Sequence, residues 1–173
     1  MRHMETLFTR EQIEKRIKEL GEQISADYIN REILAIGLLK GCTVFMSHLL
    51  LHIDADIEID FMTISSYKHG TKSNEFKFVQ DLDTNVNGKH ILIVEDIIDT
   101  GKTMAFTQDL LKQRGAASVE TVVFVDKKSR RTHEIAEPKY VGFNYDEEPF
   151  IVGFGFDLSG KYRNLPHVYK LSD

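Results

Sequence analysis

Two acidic residues that directly follow a run of four aliphatic residues are the most informative feature of the sequence. Residues 91–94 are the aliphatic run, Glu95 and Asp96 follow it, and residues 99–103 then lead into a helical pattern. The first N–H groups of a helix lack backbone partners and bind anions such as phosphate. Carboxylates repel phosphate, but they bind sugar hydroxyls and the water shell of Mg²⁺. The segment therefore predicts a site for a phosphorylated sugar together with a metal ion.

The tripeptide Gly101-Lys102-Thr103 also matches the end of the P-loop of nucleoside triphosphatases. That motif requires a glycine five positions before Gly101, and Asp96 occupies the position. An acidic side chain there would face the phosphates, so a P-loop is disfavoured. A plain strand-to-helix turn capped by Asp99 or Thr100 is the simpler structural alternative, but it leaves the acidic pair unexplained.

Apolar runs alternate with helical patterns along the chain. The candidate strands cover residues 33–39, 57–64, 91–94 and 119–125. One helical pattern follows Gly41, and another covers 103–114 and ends at Gly115. Strands that are apolar on both faces and separated by helices predict an α/β fold with a mainly parallel sheet flanked by helices. Ligands bind at the carboxyl ends of the strands in such sheets, which is where the acidic pair lies.

The first helix has a clear start signal. Thr9 and Gln12 have the spacing of a capping box, in which each side chain bonds the other residue's backbone N–H. An apolar stripe follows at Ile13, Ile17, Leu20 and Ile24. We expect this helix to be interrupted near Gly21, because glycine disfavours helix interiors.

Length, composition and charge limit the class of protein. The 173 residues carry 22 Lys and Arg against 27 Asp and Glu, a net charge of −5 that disfavours general nucleic-acid binding. The single cysteine, Cys42, excludes an internal disulfide framework. The longest apolar run, 33–39, is far shorter than the about 20 residues of a membrane helix. We expect one soluble cytoplasmic domain over residues 1–173, without nucleic-acid or membrane partners.

The segment 94–103 resembles the phosphoribosyl pyrophosphate (PRPP) signature of the type I phosphoribosyltransferases, in the wording of their hypoxanthine-guanine branch. Other pieces follow in the order of that branch: Leu39-Lys40-Gly41, Ser65-Ser66-Tyr67, Asp126-Lys127, residues 150–153, Asp157 and Arg163. The resemblance extends from about residue 10 to the end of the chain. It implies a type I phosphoribosyltransferase fold with a small hood, built from the two termini, over the base site.

The resemblance also implies a reaction, in which N9 of hypoxanthine or guanine displaces pyrophosphate from C1 of PRPP to give IMP or GMP. The residues implied to bind PRPP and its phosphates are Lys40, Gly41, Glu95, Asp96, Asp99, Thr100, Gly101, Lys102, Thr103 and Arg163. Among these, Lys40 and Arg163 are implied to contact pyrophosphate. The implied cofactor is Mg²⁺, held by Glu95, Asp96 and Asp157.

One carboxylate and four further residues are implied to act on the base. Asp99 resembles the general acid/base that exchanges a proton with purine N7. Lys127 would donate to the 6-oxo group, which disfavours adenine because a 6-amino group is itself a donor. Phe150 would stack on the ring, the Ile151 backbone would contact its edge, and Asp157 lies near the same edge.

The resemblance leaves some features open. Residues 65–75 have the position of a mobile lid, to which Ser66 and Tyr67 would contribute. A homodimer or homotetramer is implied by analogy alone. Near the C-terminus, an aromatic cluster could pack within the hood or form a subunit contact; its members are Phe143, Phe150, Phe154 and Phe156.

Two other functions compete with this interpretation. The first is a PRPP-sensing regulator that binds nucleic acid, for which the basic run at residues 127–131 is the available surface. By itself, such a run is typical of a solvated loop or a patch for an anionic partner. The second is a transferase that prefers xanthine, which the residues around Ile151 and Asp157 do not exclude.

Overall fold

Nine strands and three α-helices form the part of the chain that the computed structural model describes, residues 3–66, 76–148 and 150–172. The helices are α1 (Arg10–Asp27), α2 (Cys42–Leu50) and α3 (Lys102–Gln113). The strands are β1 (His3–Phe8), β2 (Glu32–Leu38), β3 (Asp56–Ser66), β4 (Phe76–Gln80), β5 (His90–Ile98), β6 (Ser118–Asp126), β7 (Tyr140–Asn144), β8 (Phe150–Val152) and β9 (Val168–Ser172). The four strands predicted from apolar runs are all present as β2, β3, β5 and β6, so the α/β prediction is confirmed.

The larger sheet has six strands in the order β4-β3-β2-β5-β6-β7. Neighbouring strands are parallel except at one edge, where β4 pairs antiparallel with β3. Successive residues of β5 enter different cores, because Leu92 and Val94 pack on the side of α1 and α2 whereas Ile91 and Ile93 pack on the side of α3. This packing explains why the strand reads as a continuous apolar run.

The strand order reverses between β2 and β5. The chain continues from β2 to β3 on one side, whereas β5 lies on the other side of β2 with β6 and β7 beyond it. In open α/β sheets the crevice for a ligand opens at this reversal, outside the carboxyl ends of the strands. The turn that contains Lys40 follows β2 and the acidic pair lies near the end of β5, so the topology brings the two together.

A second sheet joins the two ends of the chain. Its order is β1-β9-β8, and both pairings are antiparallel. The strand β8 begins at Phe150, so this sheet carries two of the residues implied to contact the base. The hood built from both termini is therefore confirmed.

The first helix differs from the sequence prediction at Gly21. The capping box between Thr9 and Gln12 is present, but α1 runs without interruption from Arg10 to Asp27. A Cβ atom at Gly21 would lie 2.5 Å from the backbone carbonyl oxygen of His52. The glycine is thus explained by close packing of α1 against the segment after α2, not by a break in the helix.

Most of the predicted aromatic cluster packs inside the fold. Phe154 and Phe156 are buried against Phe124, and the ring of Phe143 lies between those of Phe124 and Phe8. Phe150 differs, because it is 54% exposed. None of the helices described here combines the length and apolar composition that crossing a bilayer requires.

Candidate active site

The turn between β5 and α3 encloses a cavity of about 130 Å³, lined by Glu95 and residues 97–104. Gly101 precedes α3 in the left-handed conformation, with φ of 82°, and as a glycine it provides no side-chain cap for the helix. Lys102 N donates to Thr100 Oγ1 over a long distance of 3.4 Å. N–H groups at a helix start of this kind attract an anion. All five residues from Asp99 to Thr103 thus line a cavity suited to phosphate.

The acidic pair is held by its own backbone. Asp96 N donates to Glu95 Oε1 at 2.9 Å, and Ile97 N donates to Asp96 Oδ1 at 2.7 Å. Burial raises the pKa of Glu95, and the neighbouring charge of Asp96 raises it further. Burial also raises the pKa of Asp96, while hydrogen bonds and the charge of Arg163 oppose that rise. A ligand that brings positive charge or hydroxyl donors would stabilise the ionised pair.

The turn after β2 lies directly against this pair. A Cβ atom built on Gly41 would lie 1.8 Å from Asp96 Oδ2, and one built on Gly155 would lie 2.7 Å from the carbonyl oxygen of Gly41. The peptide bond between Leu39 and Lys40 is cis, and the Lys40 side chain is exposed. The structure therefore brings the Lys40-Gly41 turn into contact with the acidic pair.

Asp157 and Arg163 form an ion pair beside the same turn. Arg163 Nη1 also donates to the carbonyl oxygen of Gly155, the residue that packs on Gly41. The loop that holds Asp157 is tightened by Gly160 N, which donates to Asp157 Oδ2 at 2.6 Å. Both residues implied by the resemblance are thus assembled with Asp96.

A second cavity of about 330 Å³ adjoins the first and contains every residue implied to contact the base. Its lining comprises Asp96, Ile97, Asp99, Lys127, Arg130, Glu148, Phe150, Ile151, Phe156 and Asp157. Phe150 is exposed to the cavity region whereas Ile151 is buried in the hood. Asp99 and Ile97 line both cavities, so Asp99 lies at the boundary between the two.

Lys127 is only 6% exposed although it begins the basic run. Its backbone N donates to the carbonyl oxygen of Ile98 at 3.0 Å, which ties β6 to the end of β5. Its Nζ donates to the carbonyl oxygen of Glu147 at 3.3 Å and lies 5.1 Å from the ring centroid of Tyr145. The ammonium group is therefore held at the wall of the larger cavity.

Arg130 is a residue of this site that the sequence did not predict. Its Nε lies 2.7 Å from the buried Asp99 Oδ1, an ion-pair contact without the alignment of a hydrogen bond. The same guanidinium pairs with Glu148. Its neighbour Arg131 is turned inward and pairs with Asp126. Two of the four cations of the basic run, Lys127 and Arg131, are thus directed into the fold, whereas Lys128 and Arg130 are exposed. This reduces the surface that a nucleic-acid-binding regulator would need.

Lys102 lies at the smaller cavity, but its ammonium group contacts an aromatic ring of β4. The residue lines the smaller cavity, but its Nζ lies over the ring of Phe76 at 5.3 Å from the centroid.

Ser66 is the last residue of β3. Tyr67 and the rest of the predicted lid through residue 75 lie outside the described residues, so the lid stays a prediction.

The donor groups near the acidic pair are suited to a metal ion that is only partly held by the protein. Within residues 3–66, 76–148 and 150–172 no three His, Cys, Asp or Glu side chains cluster as a complete protein cage. Mg²⁺ commonly binds through one or two carboxylates together with substrate oxygens and water. The paired carboxyl groups of Glu95 and Asp96, with Asp157 on the same cavity as Asp96, fit an ion that arrives with a phosphorylated substrate.

Comparisons with known proteins agree with this geometry. The sequence profile of the phosphoribosyl transferase domain matches residues 3–158. A hypoxanthine-guanine phosphoribosyltransferase of Streptococcus pyogenes serotype M3 is 46% identical over 168 residues, which are 96% of this chain and 92% of the relative.

Two solved structures extend the likeness to the fold. A hypoxanthine phosphoribosyltransferase from Staphylococcus aureus has a TM-score of 0.91 at 43% identity, over 97% of this chain and 91% of the other. A hypoxanthine-guanine phosphoribosyltransferase from Bacillus anthracis, solved with HEPES in its active site, has a TM-score of 0.90 at 39% identity, over 97% and 98%. The chain therefore belongs to the phosphoribosyltransferase family, in its hypoxanthine-guanine branch.

Proposed function

We propose that this protein, as one phosphoribosyltransferase domain, transfers the phosphoribosyl group of PRPP to N9 of hypoxanthine or guanine, releasing pyrophosphate. The observation that carries the proposal is the pair of adjoining cavities that share Asp99. One is suited to a phosphate at a helix start, and the other has an aromatic face, a buried ammonium group and four carboxylates. A purine nucleotide needs both, joined by a ribose between them.

The phosphoribosyl group would occupy the smaller cavity and the space beside the acidic pair. The backbone N–H groups around Gly101, with the hydroxyls of Thr100 and Thr103, would hold the 5-phosphate. Glu95 and Asp96 would accept hydrogen bonds from the ribose hydroxyls. Charge supports assigning the phosphate to the N–H groups and the ribose hydroxyls to the neighbouring carboxylates, because a carboxylate in direct contact with phosphate would be repelled.

The leaving pyrophosphate would lie toward the turn after β2. Lys40 and Arg163 would stabilise the negative charge that develops as the bond from C1 to oxygen breaks. Contact between Gly41 and Asp96 fixes that turn relative to the ribose site. Asp99, on the boundary of both cavities, would exchange a proton with purine N7 and so make N9 nucleophilic.

We include Mg²⁺ as cofactor, with Glu95, Asp96 and Asp157 as the residues that would hold it directly or through water. When bound, the ion supplies positive charge against the charge that develops on pyrophosphate. Support comes from the raised pKa values of Glu95 and Asp96. Burial disfavours the ionised form of both residues, and the charge of Asp96 further disfavours that of Glu95. A divalent cation would offset these effects.

Lys127 is proposed to select 6-oxopurines. We expect Lys127→Ala to raise the KM for hypoxanthine about 10-fold or more, because a hydrogen bond from a charged donor contributes roughly 1.5–3 kcal/mol. The KM for PRPP should change little, since Lys127 lines the larger cavity and not the smaller one. Steady-state kinetics with each substrate varied in turn measure both values.

The control for this variant is Lys128→Ala. Lys128 is the next residue, carries the same charge, and forms a surface ion pair with Glu137 at 3.5 Å. We expect wild-type KM values for it. A Lys127→Ala enzyme with a raised KM for PRPP and an unchanged KM for hypoxanthine would show that the purine lies elsewhere.

The overall activity is tested by an ultraviolet assay. Purified protein with Mg²⁺ and PRPP is offered hypoxanthine, guanine, xanthine and adenine in parallel, and product formation is followed. We expect turnover of hypoxanthine or guanine and none of adenine. Preference for xanthine would replace the proposed base, and binding of PRPP without turnover of any base would favour a regulator.

We also propose a homodimer or homotetramer in the cytoplasm. The single cysteine, Cys42, is free and buried, which suits a reducing compartment. Multi-angle light scattering after size-exclusion chromatography measures the assembly, and a monomeric mass would contradict this part of the proposal.

A further inference from the structure

Arg131 is a largely buried cation that contacts the phosphate-binding turn from outside the cavity. Its side chain is 13% exposed, and it pairs with Asp126, whose side chain is 3% exposed. Its Nη1 donates to the carbonyl oxygens of Ile98 and Asp99, both at 3.0 Å. One guanidinium group thus connects the end of β6 to two consecutive carbonyl groups, that of the last residue of β5 and that of the first residue of the following turn.

The backbone beyond Arg131 continues this contact. The N–H groups of Thr132 and His133 both donate to the carbonyl oxygen of Thr100, at 3.0 and 3.1 Å. The aliphatic stem also touches the turn, because a Cβ atom on Gly101 would lie 3.2 Å from Arg131 Cδ. Three consecutive carbonyl groups, those of residues 98–100, are therefore held on the side where residues 131–133 lie.

This arrangement fixes the direction of the N–H groups. Across a trans peptide bond, the N–H points opposite to the carbonyl of the preceding residue, and these peptide bonds are not among the cis bonds of the described chain. The N–H groups of Asp99, Thr100 and Gly101 therefore point away from residues 131–133. The cavity beside this turn is lined by Glu95 and residues 97–104, and residues 131–133 are not part of its lining.

We propose that Arg131, held by Asp126, is a positioning residue that presents the N–H groups of the turn to the 5-phosphate without touching the substrate. The inference rests on the proposed function and deepens it. Lysine cannot replace this arginine, because one ammonium group lacks the planar fork that reaches two carbonyl oxygens and a carboxylate together. Displacement of a binding group by about 1 Å can reduce rates by about 10²-fold, so a loosened turn should be measurable.

The test compares ligands with and without the 5-phosphate. In Arg131→Lys and in Asp126→Asn, we expect the dissociation constant of IMP to rise about 10-fold or more. The dissociation constants of inosine, which lacks the phosphate, and of pyrophosphate should stay near wild type. Isothermal calorimetry on the purified proteins measures all three. In steady-state kinetics the KM for PRPP should rise while the KM for hypoxanthine does not.

The matched control is Arg114→Gln. Arg114 also forms an arginine-aspartate pair, with Asp81 at 2.7 Å, but its pair lies on the surface at the end of α3. The Arg114→Gln variant should have lower thermal stability than the wild type, and its ratio of IMP affinity to inosine affinity should be unchanged. Unchanged IMP binding in both site variants, or equal losses for IMP, inosine and pyrophosphate, would overturn the proposal. These binding measurements do not require turnover. If the wild type turned over none of hypoxanthine, guanine, xanthine and adenine, that result would contradict the proposed function but not the role of Arg131.

Discussion

Asp99→Asn is expected to lower turnover by about 10²-fold or more while leaving PRPP binding nearly unchanged. Asparagine has the shape of aspartate, so the turn before α3 should keep its conformation. It cannot accept or release the proton that the reaction exchanges at purine N7. Asp99 lies on the boundary of the phosphate and base cavities, where a carboxylate is near the base without being required for the phosphate. Turnover at saturating substrates and calorimetric titration with PRPP measure the two effects.

The matched control for that prediction is Asp109→Asn. Asp109 is exposed on α3, ten residues farther along the chain, and the change removes the same charge. We expect wild-type turnover for it. Wild-type turnover in Asp99→Asn would exclude Asp99 as the acid/base, and a parallel loss of PRPP affinity would indicate instead that the residue maintains the phosphate turn.

Gly41→Ala is the second change expected to have a large effect. The backbone of Gly41 is in the right-handed helical region, at φ −59° and ψ −40°, so alanine brings no conformational strain. Its Cβ, however, would lie 1.8 Å from Asp96 Oδ2. Either the turn after β2 or the Asp96 carboxylate must move, and both are proposed to bind PRPP. We expect kcat/KM for PRPP to fall roughly 10²-fold.

A second glycine separates this steric effect from a general effect of alanine. Gly88 has φ of 74° and no heavy atom within 4 Å of a Cβ built on it. Gly88→Ala should therefore lower thermal stability through backbone strain and leave kcat/KM for PRPP unchanged. If Gly41→Ala retained wild-type kcat/KM for PRPP, the contact between the turn and the acidic pair would have no part in binding PRPP.

The sequence predicted the site best where the chemistry is local. The apolar run of β5, the acidic pair and residues 99–103 are consecutive, so their types and spacing predict a strand end followed by a phosphate-binding helix start. All four predicted strands were confirmed. Those with the clearest signal, β2 and β5, have continuous apolar sequences because they are buried on both faces, whereas β3 has Ile59 exposed. The capping box of α1 was confirmed for a similar reason, since its partners are three residues apart.

Contacts between distant segments could not be predicted in this way. Arg131 reads as part of a solvated basic run, and only the pairing of β6 beside β5 brings it to the carbonyl groups of Ile98 and Asp99. From the sequence alone, Gly21 predicts a break in the helix. In the structure, glycine is needed at this position because the backbone of His52 packs against it. The hood strands are short, and β1 pairs with β9 from the other end of the chain, so no local pattern identifies them.

The central claim is that the two adjoining cavities hold the two ends of one nucleotide. A crystal structure of the protein with IMP and Mg²⁺ tests it most directly. We predict the 5-phosphate in the cavity of residues 99–103, the ribose hydroxyls beside Glu95 and Asp96, and O6 of the base facing Lys127 Nζ. A phosphate bound outside that turn, or a base with O6 directed away from Lys127, would contradict the account.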